Sequence, residues 1–127
     1  MYEVMIETEF SSAHALRNYH GKCENLHGHN WKVEVYVRGT KLDETGLLID
    51  FKELKTATKQ IMDKIDHKVL NEIPPFDEVC NPSSENIARY VLEELAPKIN
   101  NVNRIVYKVR AWETPFTAAS YQIPEEK

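Results

Sequence analysis

Cysteine is scarce in this chain: 127 residues contain two, Cys23 and Cys80. Two cannot build a disulfide framework, and free thiols fit a reducing cytoplasm. Long apolar runs are missing as well. No stretch approaches the ~20 residues of a membrane helix, which argues against a spanning segment and against a membrane partner. The start, Met1-Tyr2-Glu3-Val4, has neither the basic residues nor the apolar stretch of a signal peptide. Positive charge is not in surplus: 16 Lys and Arg face 20 Asp and Glu, a net charge of −4. That balance speaks against a general nucleic-acid binder. Repeats, low-complexity tracts and long linkers are also lacking. What is there is ordinary globular material, 42% apolar and 28% charged. This length has room for one hydrophobic core. Residues 1–127 are therefore expected to form a single cytoplasmic domain.

The apolar residues then give the chain an order. Tyr2, Val4, Ile6, Thr8 and Phe10 alternate with Glu3, Glu7 and Glu9, the pattern of a half-buried strand running on towards His14. After a loop at 17–23, Trp31, Val33, Val35 and Val37 share one face of a second strand, opposed by Lys32, Glu34 and Arg38. Asp50 reads as an acidic N-cap with Glu53 at the N3 position of a capping box. Behind it Phe51, Leu54, Thr58, Ile61 and Ile65 recur at helical spacing, which predicts a helix over 51–64. Pro74-Pro75 makes 71–80 a loop. Ser83 suits the N-cap of a second helix that packs Ile87, Val91 and Leu95 and stops near Pro97. Ile105, Tyr107, Val109 and Ala111 mark a third strand, and 116–123 a shorter fourth. The predicted class is α+β in the order ββααββ, an antiparallel sheet covered on one face by two helices. Two sheet edges would then lie unpaired. Pairing between subunits is one way to protect them, so a homo-oligomer is expected.

Histidines stand out on this framework. His27 and His29 are two apart on the second strand, so both point to the side of Trp31 and Val33. His14 continues the inward parity of Ile6 and Phe10 on the first strand. Three imidazoles converging from neighbouring strands form a tripod for a divalent ion. Zinc suits such nitrogens and leaves a fourth position for water or substrate. Three structural histidines, each hydrogen-bonded to backbone or carboxylate, are the alternative. Cys23 lies four residues before His27 and has two readings: a fourth ligand closing the site, or a nucleophile or base beside an open one. His20 lies on no periodic face and is expected outside the ligand set, as is Cys80. Asp66-His67 could act as a relay pair or be an ordinary surface dipeptide. Glu113 shares the parity of Ala111, which puts a carboxylate on the buried face. Such a charge needs a partner. A ligand's amidine or guanidine edge would serve through two parallel bonds, and so would a buried Lys or Arg.

Six ordered motifs now carry a resemblance. They are Phe10-Ser11-Ser12-Ala13-His14, Cys23-x3-His27-Gly28-His29-Asn30, Asp50-Phe51-x2-Leu54-Lys55, Ile65-Asp66-His67-x2-Leu70-Asn71, Asn81-Pro82-Ser83-Ser84-Glu85-Asn86 and Trp112-Glu113-Thr114. The chain resembles the 6-pyruvoyl tetrahydropterin synthase / 6-carboxytetrahydropterin synthase family nearly end to end. That resemblance implies the tunnelling fold, in which ββααββ subunits join their sheets into a barrel, as a trimer or a hexamer of two stacked trimers. It implies zinc on His14, His27 and His29, Cys23 as catalytic base, and Asp66 with His67 as a proton relay from the neighbouring subunit. Glu113 would anchor the 2-amino/N3 edge of the pterin, assisted by Ser83 and Ser84, where the family often has threonines. One branch that makes a folate precursor has Glu in place of the Cys, and Cys23 argues against membership of that branch. The implied substrate is 7,8-dihydroneopterin triphosphate, with Arg17 and Lys22 the nearest basic candidates for its phosphates. The compact chain favours 6-carboxytetrahydropterin, the deazapurine precursor used for queuosine, over 6-pyruvoyltetrahydropterin. A non-catalytic zinc-stabilised or pterin-binding module is the competing expectation from another class.

Overall fold

Both alternating segments form 13-residue strands in the computed structural model, which describes residues 1–124. β1 (Tyr2–His14) and β2 (His27–Gly39) pair antiparallel along their whole length, from Tyr2 opposite Gly39 to His14 opposite His27. α1 (Phe51–Ile65), β3 (Lys68–Val69), α2 (Ser84–Ile99), β4 (Arg104–Thr114) and β5 (Thr117–Gln122) follow. The sheet order is β3-β1-β2-β4-β5. The α+β class holds, with one strand more than expected. β3 runs parallel to β1 beside Ser12 and Ala13, and all other pairs are antiparallel. Two residues are too short a run to leave a periodic signal.

The helices lie on one face, α1 against β1 and α2 against β4 and β5. Between them and the sheet, Ile6, Phe10, Trp31, Val33, Val35, Val37, Val109 and Ala111 are buried with Leu54, Ile61, Ile65, Ile87, Val91 and Leu95. The other face is polar and aromatic: Lys32 stacks over Trp112, and Glu34 accepts from Tyr36 and Trp112. Gly39 ends β2 because nothing larger fits, since a Cβ there would sit 2.1 Å from the Asn103 carbonyl oxygen.

Four local expectations are corrected. Phe51 is 53% exposed, because the buried stripe of α1 starts at Leu54 and includes Met62. Asp50 caps α1 by accepting from Lys52 N, but Glu53 turns instead to Arg104, 3.0 Å away. α2 runs through Pro97 to Ile99, because buried Ile99 anchors the last turn. In β4 the partner of Tyr36 is Lys108 and that of Val37 is Val106. Tyr107 is thus an extra residue, a bulge that turns Val106 inward and leaves Ile105 and Tyr107 only half-buried.

Candidate metal centre

The tripod forms where β1 ends and β2 begins. Because His14 pairs with His27 and Ser12 with His29, the three imidazoles share the helix-covered face. Ring centroids are 4.7 Å apart for His14 and His27, 4.8 Å for His27 and His29, and 5.3 Å for His14 and His29. Trp31 forms the floor, with its ring 5.0 Å from His14 and 5.5 Å from His29. Backbone carbonyls set the tautomers. His14 Nδ1 donates to Pro82 O at 2.7 Å and His27 Nδ1 to Asn25 O at 2.8 Å, which leaves Nε2 of each with a free lone pair. Among the described residues, the buried Nε2 atoms of His14 and His29 have no hydrogen-bond partner. A buried orphan of this kind is costly unless something else satisfies it. A divalent cation fits that role, and the donor set suits it.

Electrostatics favour the neutral rings that a metal needs. Burial is the main force holding the His29 pKa below 6.5, with His14 and His27 adding to it and Glu113 opposing. Glu113 enters from β4. Trp112 pairs with Ala118 and Thr114 with Thr117, so Glu113 is itself the extra residue of a bulge against β5. Bulges re-aim side chains, and this one turns the carboxylate to the histidines. Glu113 Oε1 lies 3.0 Å from His14 Nε2 and 3.3 Å from His29 Nε2. The donor atoms of His14, His27, His29 and Glu113 all lie within 4.8 Å of one another. At 33% exposure Glu113 is less buried than parity alone implies, and histidines, not Lys or Arg, are its close neighbours.

A family model described as 6-pyruvoyl tetrahydropterin synthase matches residues 3–124. The chain belongs to that family. A relative from Archaeoglobus fulgidus, provisionally named a 6-carboxy-5,6,7,8-tetrahydropterin synthase, is 43% identical over 100 residues, covering 79% of this chain and 81% of its own. The 6-carboxy-5,6,7,8-tetrahydropterin synthase of Haemophilus influenzae is 30% identical over 144 residues, covering 96% and 99%. The solved 6-pyruvoyl tetrahydropterin synthase of Caenorhabditis elegans superposes with a TM-score of 0.80 at 32% identity, covering 98% of each chain. Both product names therefore occur among relatives of this pterin synthase.

The other residues expected to serve a pterin synthase are spread around the tripod. Cys23 is an exposed free thiol in the loop between β1 and β2, outside the four converging donors. Asp66 caps the end of α1, its Oδ1 accepting from Ser11 N at 2.8 Å and its Oδ2 3.0 Å from His67 Nδ1. The Ser11 amide is the main reason the Asp66 carboxyl sits below its ordinary pKa. His67 is 81% exposed with φ +55°, the left-handed region that is uncommon outside glycine but that asparagine, aspartate and histidine enter more readily than other residues. Asp66 and His67 do form a pair, but not as part of the four-donor cluster. Ser83 Oγ caps α2 by accepting from Asn86 N. Ser84 and Glu113 border a cavity of about 250 Å³ with Glu85, Thr117, Ala118 and Ala119. Arg17 is committed elsewhere, its Nη2 donating to Phe76 O and Cys80 O, whereas Lys22 is exposed.

The sequence reading missed what fastens the Cys23 loop. Asn71 bonds both the N–H and the C=O of Ala15, and Asn81 does the same for Arg17. Both asparagines fall within the six motifs, yet a lone Asn announces no such role.

Proposed function

We propose that this pterin synthase converts 7,8-dihydroneopterin triphosphate and water to 6-carboxy-5,6,7,8-tetrahydropterin, acetaldehyde and triphosphate, as a step towards a 7-deazapurine such as queuosine. The observation that carries the reading is the convergence of three histidines, two of them tautomer-fixed by backbone carbonyls, and a bulge-aimed carboxylate beside a small cavity. The identity with the Archaeoglobus and Haemophilus relatives supports the 6-carboxy product.

His14, His27 and His29 would hold zinc, which supplies Lewis acidity for the oxygens of the substrate's three-carbon arm when bound. Glu113 accepts the 2-amino and N3 hydrogens through two parallel bonds and so fixes the ring. Ser84, at the rim of the same cavity, offers a hydroxyl to that edge, with Ser83 beside it. Cys23, as thiolate, removes a proton from a carbon of that arm. The Asp66–His67 pair returns a proton to the ring, with Asp66 orienting the imidazole through Nδ1. His67 is exposed and stands apart from the cluster, which suits a pair that serves the site of a neighbouring copy. Two open edges support such an assembly. Among the described residues, β1 is paired on its outer side only at Ser12 and Ala13, and β5 has one neighbour. A trimer or hexamer closing these edges into a barrel would leave the active sites between subunits.

Mass spectrometry of the products, with aldehyde trapping, tests the proposal. Acetaldehyde stoichiometric with triphosphate is expected. An intact three-carbon arm would make it a 6-pyruvoyltetrahydropterin synthase, and no release of triphosphate a binding module.

A further inference from the structure

Ser12 breaks the apolar file of β1. It lies between Phe10 and His14 on the face that packs against the helices, and it is 6% exposed. Alanine would fill such a place, whereas a buried hydroxyl is costly unless it is bonded. This one is bonded twice: it donates to the Ile65 carbonyl and accepts from Lys68 N at 3.2 Å. Those two peptide groups stand on either side of Asp66 and His67. The Ile65 carbonyl is among the last of α1, which find no partner within their own helix. Ser11 completes the frame from its backbone. Its N–H goes to Asp66 Oδ1 at 2.8 Å, and its C=O accepts from His67 N at 2.6 Å. Together these bonds hold a turn whose second residue, His67, sits in the left-handed region at φ +55°.

We infer that Ser12 is a positioning residue, whose hydroxyl closes the turn over 65–68 and so fixes where the Asp66–His67 pair stands on the open edge of β1. This rests on the relay reading above and deepens it. The hydroxyl meets the backbone on both sides of the pair and is bonded to neither the carboxylate nor the imidazole. Any effect on the chemistry therefore passes through placement. Placement matters because a relay transfers protons only at hydrogen-bond reach. A displacement of about 1 Å can cost on the order of 10²-fold in rate. The division of labour is clear in the bonds. Asp66 orients the imidazole, the Ser11 amide holds Asp66, and Ser12 sets the turn against the strand. The paired stretch of β3 is only Lys68 and Val69, so the hydroxyl reinforces the short ladder where it begins.

Ser12→Ala, His67→Ala and the double variant test the inference, each as the assembled enzyme, through release of triphosphate from 7,8-dihydroneopterin triphosphate. Ser12→Ala should lower kcat about tenfold or more, with KM within about twofold and metal content unchanged. In the His67→Ala background the same substitution should change kcat by less than about twofold, because no imidazole is left to place. Hydrogen exchange should show the His67 and Lys68 amides protected in the parent and faster in Ser12→Ala. Free exchange of both amides in the parent overturns the inference, and this arm does not depend on any variant folding. An equal fold loss in both backgrounds also overturns it, because the hydroxyl would then be a structural bond alone. So does a loss of metal in proportion to activity. Parental kcat in Ser12→Ala beside a large loss in His67→Ala overturns the inference and leaves the relay standing. Parental kcat in His67→Ala overturns the relay reading, and the inference with it.

Discussion

The Nδ1 proton of His14 goes to the Pro82 carbonyl, and that bond fixes which nitrogen is left for a metal. His29 has a different safeguard, burial, which holds its pKa below 6.5. Between the lowered folded pKa and 6.5 the unfolded state binds more protons than the folded one, so stability rises with pH in that window. The metal-free protein should therefore lose thermal stability as pH falls below 6.5, and His29→Asn should flatten the slope. Parallel melting curves for parent and variant across that window would count against the assignment. Cys23 is the base of the proposed reaction. Cys23→Ala should lower turnover about 10²–10⁴-fold with metal content unchanged, the loss expected of a general base. Activity within a few-fold of the parent would remove the thiol from the chemistry. The convergence of the histidines was legible because parity on two adjacent strands is enough to aim them. The role of Glu113 was only partly so, because parity gives a face and a bulge gives an aim.

At the scale of elements, periodicity carried the reading as far as the ladder stays regular. Period two found β1 and β2, and the helical stripe found α1 and α2. Ile105 and Tyr107 were assigned to the wrong face because an inserted residue changes register without changing composition. β3 escaped because two residues have no period. The loop that carries Cys23 depends on long-range bonds that no local pattern encodes. Asn81 accepts from Arg17 N and donates to Arg17 O, both at 2.9 Å. Asn81→Ala removes both bonds, a cost of about 1–3 kcal/mol at a net ~0.5–1.5 each. It should loosen the loop, so that kcat falls while the tripod keeps its metal. Calorimetry and metal analysis alongside kinetics check this, and a variant that loses metal in proportion to activity would place the effect at the tripod instead.

The whole molecule leaves its sheet open. Within one subunit β1 and β5 each keep a largely unpaired edge, and the Asp66–His67 pair stands at the β1 side, apart from the four donors. If copies close these edges in a ring, the proposal above has His67 of one subunit serve the site of the next. That arrangement has a consequence no single-subunit site shares. Cys23→Ala and His67→Ala homomers should each be nearly inactive, since every site in either lacks one group. Unfolded together in equal amounts and refolded, the two variants form mixed rings. A site then works when the Cys23 loop comes from one variant and His67 from the other. Random assembly places that combination at roughly a quarter of the sites, so about a quarter of parental activity should return. A relay held within each subunit predicts no recovery, because every subunit in the mixture still lacks one of its two groups. Size-exclusion chromatography of the mixture separates failure to assemble from failure to complement. Mixed rings of parental size without activity would put both groups in the same subunit.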